Sequence, residues 1–159
     1  MRYKIFMDKT QFLLNFVDWT LVSKSPNLSE SFIREHKDYV NWSAISINQT
    51  LSENFIREFK DKVDWINISI NQKLSESFIR EFKNLVKWNY ISQFQSLSEQ
   101  FITYHKNYVN WFNISCYQKL SENFIREFND KVDWSIISQF QKSERNQPFA
   151  GSWLQLSPI

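Results

Sequence analysis

From Leu28 to Lys142 the apolar and polar positions follow one repeating order, L-S-E-x-F-I-R-E-F-x-x-x-V-x-W-x-x-I-S-x-x-Q plus one further residue. The period is 23 residues without insertion, which gives five tandem units at 28–50, 51–73, 74–96, 97–119 and 120–142. A degenerate half-unit precedes them, since FVDWTLVS at 16–23 matches KVDWINIS at 62–69. Positions within a unit are counted from 1 at its Leu. Self-similarity at a fixed short period is the mark of a solenoid, in which no unit can bury its apolar face alone and neighbours must do it for one another.

Positions 1 to 13 read as a helix. Ser at position 2 (Ser29, Ser52, Ser75, Ser98, Ser121) suits an N-cap, with Glu following in the first turn. Leu51 and Ile56, and their counterparts, have the spacing of a hydrophobic staple. Phe55, Ile56, Phe59 and Val63 share one side of a helical wheel, and Glu53, Arg57, Glu58 and Asp61 share the other as a solvated face. Glu53 with Arg57 and Glu58 with Lys62 have i,i+4 spacing.

A second, shorter helix follows, capped by Asn41, Asp64, Asn110 or Asp133 at position 14. Lys87 breaks that cap in the third unit, so its turn is expected to be the weakest. Trp65, Ile68, Ser69 and Gln72 share one face. The predicted fold is therefore an all-α solenoid of helix–turn–helix repeats, five full units plus the half-unit. Positions 5, 6, 13, 15 and 18 are the predicted core.

The alternative is a leucine-rich-repeat-like α/β solenoid, whose period also includes 23. It needs an L-x-x-L-x-L strand and an Asn to turn the backbone. Position 20 instead holds Ile47, Ile70, Gln93, Cys116 and Gln139, and position 21 is Asn only at Asn48 and Asn71. Caps and staples at both starts favour helices.

The organisation reads as 1–27, an N-terminal degenerate half-repeat acting as a cap; 28–142, the repeats; and 143–159, a non-repeat cap or tail. Phe12, Leu13, Phe16, Val17 and Trp19 are expected to cover one apolar end, with Pro26 stopping the helix. QPFAGSWLQLSPI is expected to fold back over the fifth unit.

Composition narrows the function classes. Net charge is +2 with both signs mixed, which leaves no basic stripe of the kind nucleic acid selects. Cys116 is the one cysteine, which excludes an internal disulfide framework and a multi-cysteine zinc site. No apolar run approaches the ~20 residues of a membrane helix. MRYKIFMDKTQF lacks the h-region of a signal peptide, so the N-x-S/T triplets carry no weight. The expected setting is intracellular and soluble, with no membrane partner.

The 23-residue unit resembles short tandem repeats in proteins of giant DNA viruses that infect amoebae, and the bias toward Asn, Ile, Lys, Phe and Ser agrees with an AT-rich source. The resemblance covers residues 28–142. It implies a viral repeat protein acting in host cytoplasm or in the particle, and carries over no catalytic residue.

Candidate chemistry is sparse. His36 and His105 both occupy position 9, three units apart, and read as packing between repeats rather than a shared metal site. Cys116 has no His beside it. The Ser series at position 19 (Ser46, Ser69, Ser92, Ser115, Ser138) reads as a small residue permitting close helix approach. The only Gly is Gly151, so no phosphate loop exists. A catalytic site needs convergent, non-repeating residues; none is expected, nor any cofactor or metal.

The non-catalytic reading preferred is a scaffold that binds another protein. The outward side of the second helix varies between units and carries Ile66, Tyr90, Phe94, Phe112, Tyr117, Ile136 and Phe140, more aromatic area than a solvated face requires. Tyr90, Phe94, Phe112 and Tyr117 are expected to centre the groove. A modular nucleic-acid reader is the alternative, disfavoured because positions 16, 17, 20 and 21 hold no Lys or Arg in any full unit. Self-association as a structural protein of a viral particle is the other.

Overall fold

The computed structural model of the chain describes residues 16–140, and these form eleven α-helices with no strand among them. The half-unit supplies α1 (Trp19–Lys24). The full repeats supply pairs: α2 (Glu30–Glu35) and α3 (Trp42–Asn48), α4 (Glu53–Glu58) and α5 (Trp65–Asn71), α6 (Glu76–Glu81) and α7 (Trp88–Phe94). The last two pairs are α8 (Glu99–Tyr104) with α9 (Trp111–Tyr117), and α10 (Glu122–Glu127) with α11 (Trp134–Phe140). The fold is an all-α helical-repeat solenoid. The leucine-rich-repeat alternative fails because the segment from position 15 to 20, where it needs a strand, is helical in every repeat.

By compactness the chain divides into two units, one ending at Asn67 and the other beginning at Ile68, inside α5. The same contacts join successive repeats within each unit. The expected capping roles of Phe12, Leu13 and the segment 143–159 lie outside the described residues.

Local signals account for where the helices start. Ser29, Ser52, Ser75 and Ser121 each accept the backbone N–H of the Phe three residues on at 3.2 Å, and Ser98 does so at 3.1 Å. Asn41 and Asn110 cap α3 and α9 at 2.9 Å, and Asp64 and Asp133 cap α5 and α11 through two amides each. Lys87 makes no side-chain cap bond. At the end of α1, Pro26 follows the C-cap Ser25, and Asn27 takes a left-handed turn at φ 63°, a conformation Asn tolerates because its side chain can hydrogen-bond locally.

The first helices are shorter than the sequence suggests. The helix expected over positions 1 to 13 is α-helical only from 3 to 8, and a turn runs through the rest. Tertiary hydrogen bonds keep the helix from resuming beyond that turn. A continuing helix would join the N–H of position 14 to the carbonyl of position 10. The Trp indole takes that carbonyl, as in Trp65 Nε1 to Lys60 O at 2.9 Å. The N–H is taken by the preceding repeat, as in Asp64 N to Ser46 Oγ at 3.1 Å. Beyond the break, i,i+4 spacing no longer describes a shared face. Glu53 pairs with Arg57 at 3.8 Å as expected, but the expected pair of Glu58 with Lys62 is replaced by contacts to the repeat before. Glu58 accepts from Arg34 at 2.7 Å and Lys62 reaches Asp38 at 2.9 Å.

Within each compact unit the core is built from Phe at position 5 and Ile at 6 and 18, with Phe55 and Ile56 in the first and Ile68, Phe78, Ile91 and Phe101 in the second shut away from solvent. The staple residues Leu51 and Ile56 are both buried. Trp65 and its counterparts are half-buried rather than buried. Trp19, Trp42, Trp88 and Trp111 sit 4.8–5.1 Å from the ring at position 9 of the next repeat. That is the range of favourable offset aromatic contacts. His36 and His105 occupy this slot, as the packing reading expects. In the half-unit, Trp19 stacks on Tyr39 of the first repeat at 5.3 Å, while Phe16 and Val17 are exposed.

Candidate interaction surface

The second helices present two sides of opposite character. On the inner side the recurring Ser and Gln side chains bond to the neighbouring repeat. Ser at position 19 is buried in every repeat but the fifth, and where buried it bridges two backbones. Ser92 Oγ donates to Trp88 O at 2.7 Å while accepting from Asn110 N at 2.9 Å, and Ser115 repeats this with Trp111 and Asp133. Small size, the role expected of it, is therefore only half of what Ser does.

Gln at position 22 does more. Gln95 Nε2 donates to the carbonyls of Ser69 and Gln72 at 3.0 and 2.8 Å, and its Oε1 accepts from Leu74 N at 3.0 Å. Gln118 does the same to Ser92, Gln95 and Leu97, and Gln49 to Ser23, Ser25 and Leu28. These bonds occupy carbonyls at the end of the previous helix, which lack intrahelical partners. Glu at position 3, expected on the solvated face, is another bridge. Glu30 and Glu76 accept from the N-cap amides of Ser52 and Ser98 at 2.7 and 2.6 Å, and Glu99 accepts from Ser121.

The outer side varies. Phe94, Phe112 and Tyr117 are 50, 54 and 55% exposed on α7 and α9, where isolated aromatic groups of this size would normally be turned inward. Ile66 on α5 is exposed as well. Tyr90 and Ile136 are half-buried, and Tyr90 supports Phe94 with ring centroids 6.3 Å apart. The side chain of Phe140 lies outside the described residues. The structure thus brings Tyr90 and Phe94 together on α7, with Phe112 and Tyr117 on the helix packed beside it. Ile66 belongs to the other compact unit.

Sequence reasoning missed a second aromatic group. The exterior of the first helix, expected to be nearly constant, changes in the fourth repeat, where Thr103 and Tyr104 replace the Arg-Glu pair. Tyr104 is 75% exposed and Tyr108 is exposed beside it, while Arg80 lies over the Tyr104 ring at 5.8 Å. The signal was present as the one departure from Arg-Glu at positions 7 and 8.

Reactive groups are muted. Burial, with Asp133 nearby, pushes the half-buried Cys116 thiol up from its ordinary value, which keeps it protonated and a poor nucleophile. Among the described residues, no cluster of three His, Cys, Asp or Glu side chains could hold a metal ion, and no helix is long and apolar enough to cross a membrane.

No protein-family model, curated protein or solved structure matches the chain. Nothing in these comparisons links it to the viral repeat proteins its unit resembles.

Proposed function

We propose that the protein is a non-catalytic scaffold that binds another protein on the outer side of its second helices. The observation that carries this reading is the exposure of Phe94, Phe112 and Tyr117 on two adjacent helices at positions that differ between repeats. Large aromatic side chains held on rigid helices lose little entropy on binding and dominate interface energies. The inner side is invariant because every repeat needs it, so only the outer side is free to encode a partner.

A nucleic-acid reader is less well supported. Such a surface wants cations beside the variable positions, and the outer side of these helices has none. The binding partner is expected to offer an apolar ridge rather than a polyanion.

The test is a Phe94→Ser, Tyr117→Ser double variant, compared with wild type for capture of proteins from the native cell. Loss of a specific captured protein, at an unchanged melting temperature, supports the reading. Capture that is the same for both proteins removes it.

A further inference from the structure

The two ends of the described chain are complementary halves of the interface already used between repeats. Within that interface the side that faces the following repeat is marked by positions 16 and 19. Ser46, Ser92 and Ser115 at position 19 accept the position-14 amide of the next repeat. Asn89 at position 16 accepts from Asn113 of the next repeat at 2.9 Å. The side that faces the preceding repeat is marked by positions 14 and 17, namely that amide and that Asn.

At the C-terminal end, helix α11 offers the first side with no described residue on it. Ser138 is the one position-19 serine that is exposed, whereas Ser23, Ser46, Ser69, Ser92 and Ser115 are all fully buried. Its hydroxyl turns back onto Ser135 O of its own helix at 2.9 Å. At the N-terminal end, α1 offers the second side. Asp18 at position 14 is exposed, with its backbone N–H bonded to nothing among the described residues. Leu21 at position 17 is 66% exposed, although Ala44 and Asn113 at the same position are buried.

We propose that one copy of this chain stacks head to tail on another, with α1 of the second copy continuing the row of second helices beyond α11 of the first. The Asp18 N–H then donates to Ser138 Oγ in the register every interior repeat uses, and Leu21 is covered by the Ser135–Ser138 side of α11. Small residues at 135 and 138 allow the close approach that Ser allows elsewhere. The joint is weaker than an interior one, because position 22 of the half-unit is Pro26 and supplies no glutamine arm. Association is therefore reversible and concentration-dependent. Because the two surfaces differ, the contact is heterologous and leads to rings or open chains rather than a closed two-fold dimer.

The test is sedimentation equilibrium on the full chain, on Leu21→Glu, on Ser138→Lys, and on the two variants mixed. Both substitutions fall on exposed positions, and unchanged melting temperatures verify that each variant is folded. Wild type is expected to gain mass with concentration beyond two chains, and each variant alone to stay monomeric. The equimolar mixture is expected to form a one-to-one dimer that grows no further, because it holds one intact pair of ends. A wild type that is monomeric at all concentrations overturns the proposal. Variants that assemble as wild type does also overturn it, and point to the aromatic side of α7 and α9.

Discussion

Gln95 Nε2 donates to the carbonyl oxygen of Gln72 at 2.8 Å, so the last inward side chain of one repeat closes the helix of the repeat before it. A residue type repeated once per unit thereby links repeats through backbone atoms, which every sequence possesses, as Gln49, Gln95 and Gln118 show. Outer positions can then vary without disturbing the joint.

The serine bridge gives the simplest prediction. Ser92→Ala removes the hydrogen bond to Trp88 O and leaves the Asn110 N–H without its acceptor. An unpaired donor of this kind costs about 1–3 kcal/mol. Chemical denaturation should show a loss in that range, and a loss below ~0.5 kcal/mol would make Ser a spacer only.

Lys87 is the only position-14 residue that makes no cap bond. Its N–H is nevertheless held by Ser69 Oγ at 3.0 Å, so the backbone is already set for a capping side chain. Lys87→Asp is expected to stabilise the protein by about 1 kcal/mol, raising the melting temperature by ~2–4 °C in a chain of this size. A melt that is unchanged or lower contradicts the cap account.

His105 should make stability fall in mild acid. Its ring is buried against Trp88 and Phe101 at 4.9 and 4.4 Å, and its Nε2 has no hydrogen-bond partner. Burial first, then the Arg80 and Lys83 charges, hold its pKa below the ordinary histidine value, with Glu76 pulling weakly the other way. The native state therefore keeps the ring neutral, while the unfolded chain takes up a proton near pH ~6.5. Stability is full above that pH and declines as pH falls below it. His105→Phe installs the residue that Phe59, Phe82 and Phe128 supply at position 9, and should remove this part of the decline. Melting curves of both proteins between neutral and mildly acid pH test it, and parallel curves would refute it.

Much of this structure is legible in the sequence, for physical reasons that differ by feature. The period, the serine caps and the Leu51–Ile56 staple are local patterns, and each is found where expected. The length of the first helix was not legible. Beyond its turn, Trp65 Nε1 and Ser46 Oγ hold the backbone groups a resumed helix would need, and such tertiary bonds leave no local trace. The work of Gln95 was hidden similarly, although a glutamine recurring on a buried face was a usable signal. Of the outer residues, Phe94, Phe112 and Tyr117 are exposed as expected, whereas Tyr90 is half-buried because a seven-residue helix has too few positions to separate core from surface cleanly. Tyr104 was overlooked because the first helix was read from its consensus.

The contrast between the two sides of α7 is open to one direct measurement, since Phe94 and Gln95 are adjacent in sequence and opposite in role. Thermal unfolding would be recorded for wild type, Phe94→Ser and Gln95→Met. Gln95→Met keeps the volume but removes three hydrogen bonds, two to the preceding repeat and one within its own, leaving the buried Leu74 N–H unpaired, a loss on the order of 3 kcal/mol. The account predicts a melting temperature lowered by roughly 6–12 °C for Gln95→Met, and one within about 2 °C of wild type for Phe94→Ser, an exposed surface change. Equal losses, or a larger loss for Phe94→Ser, would contradict it, because Phe94 would then belong to the core and not to a surface kept for a partner.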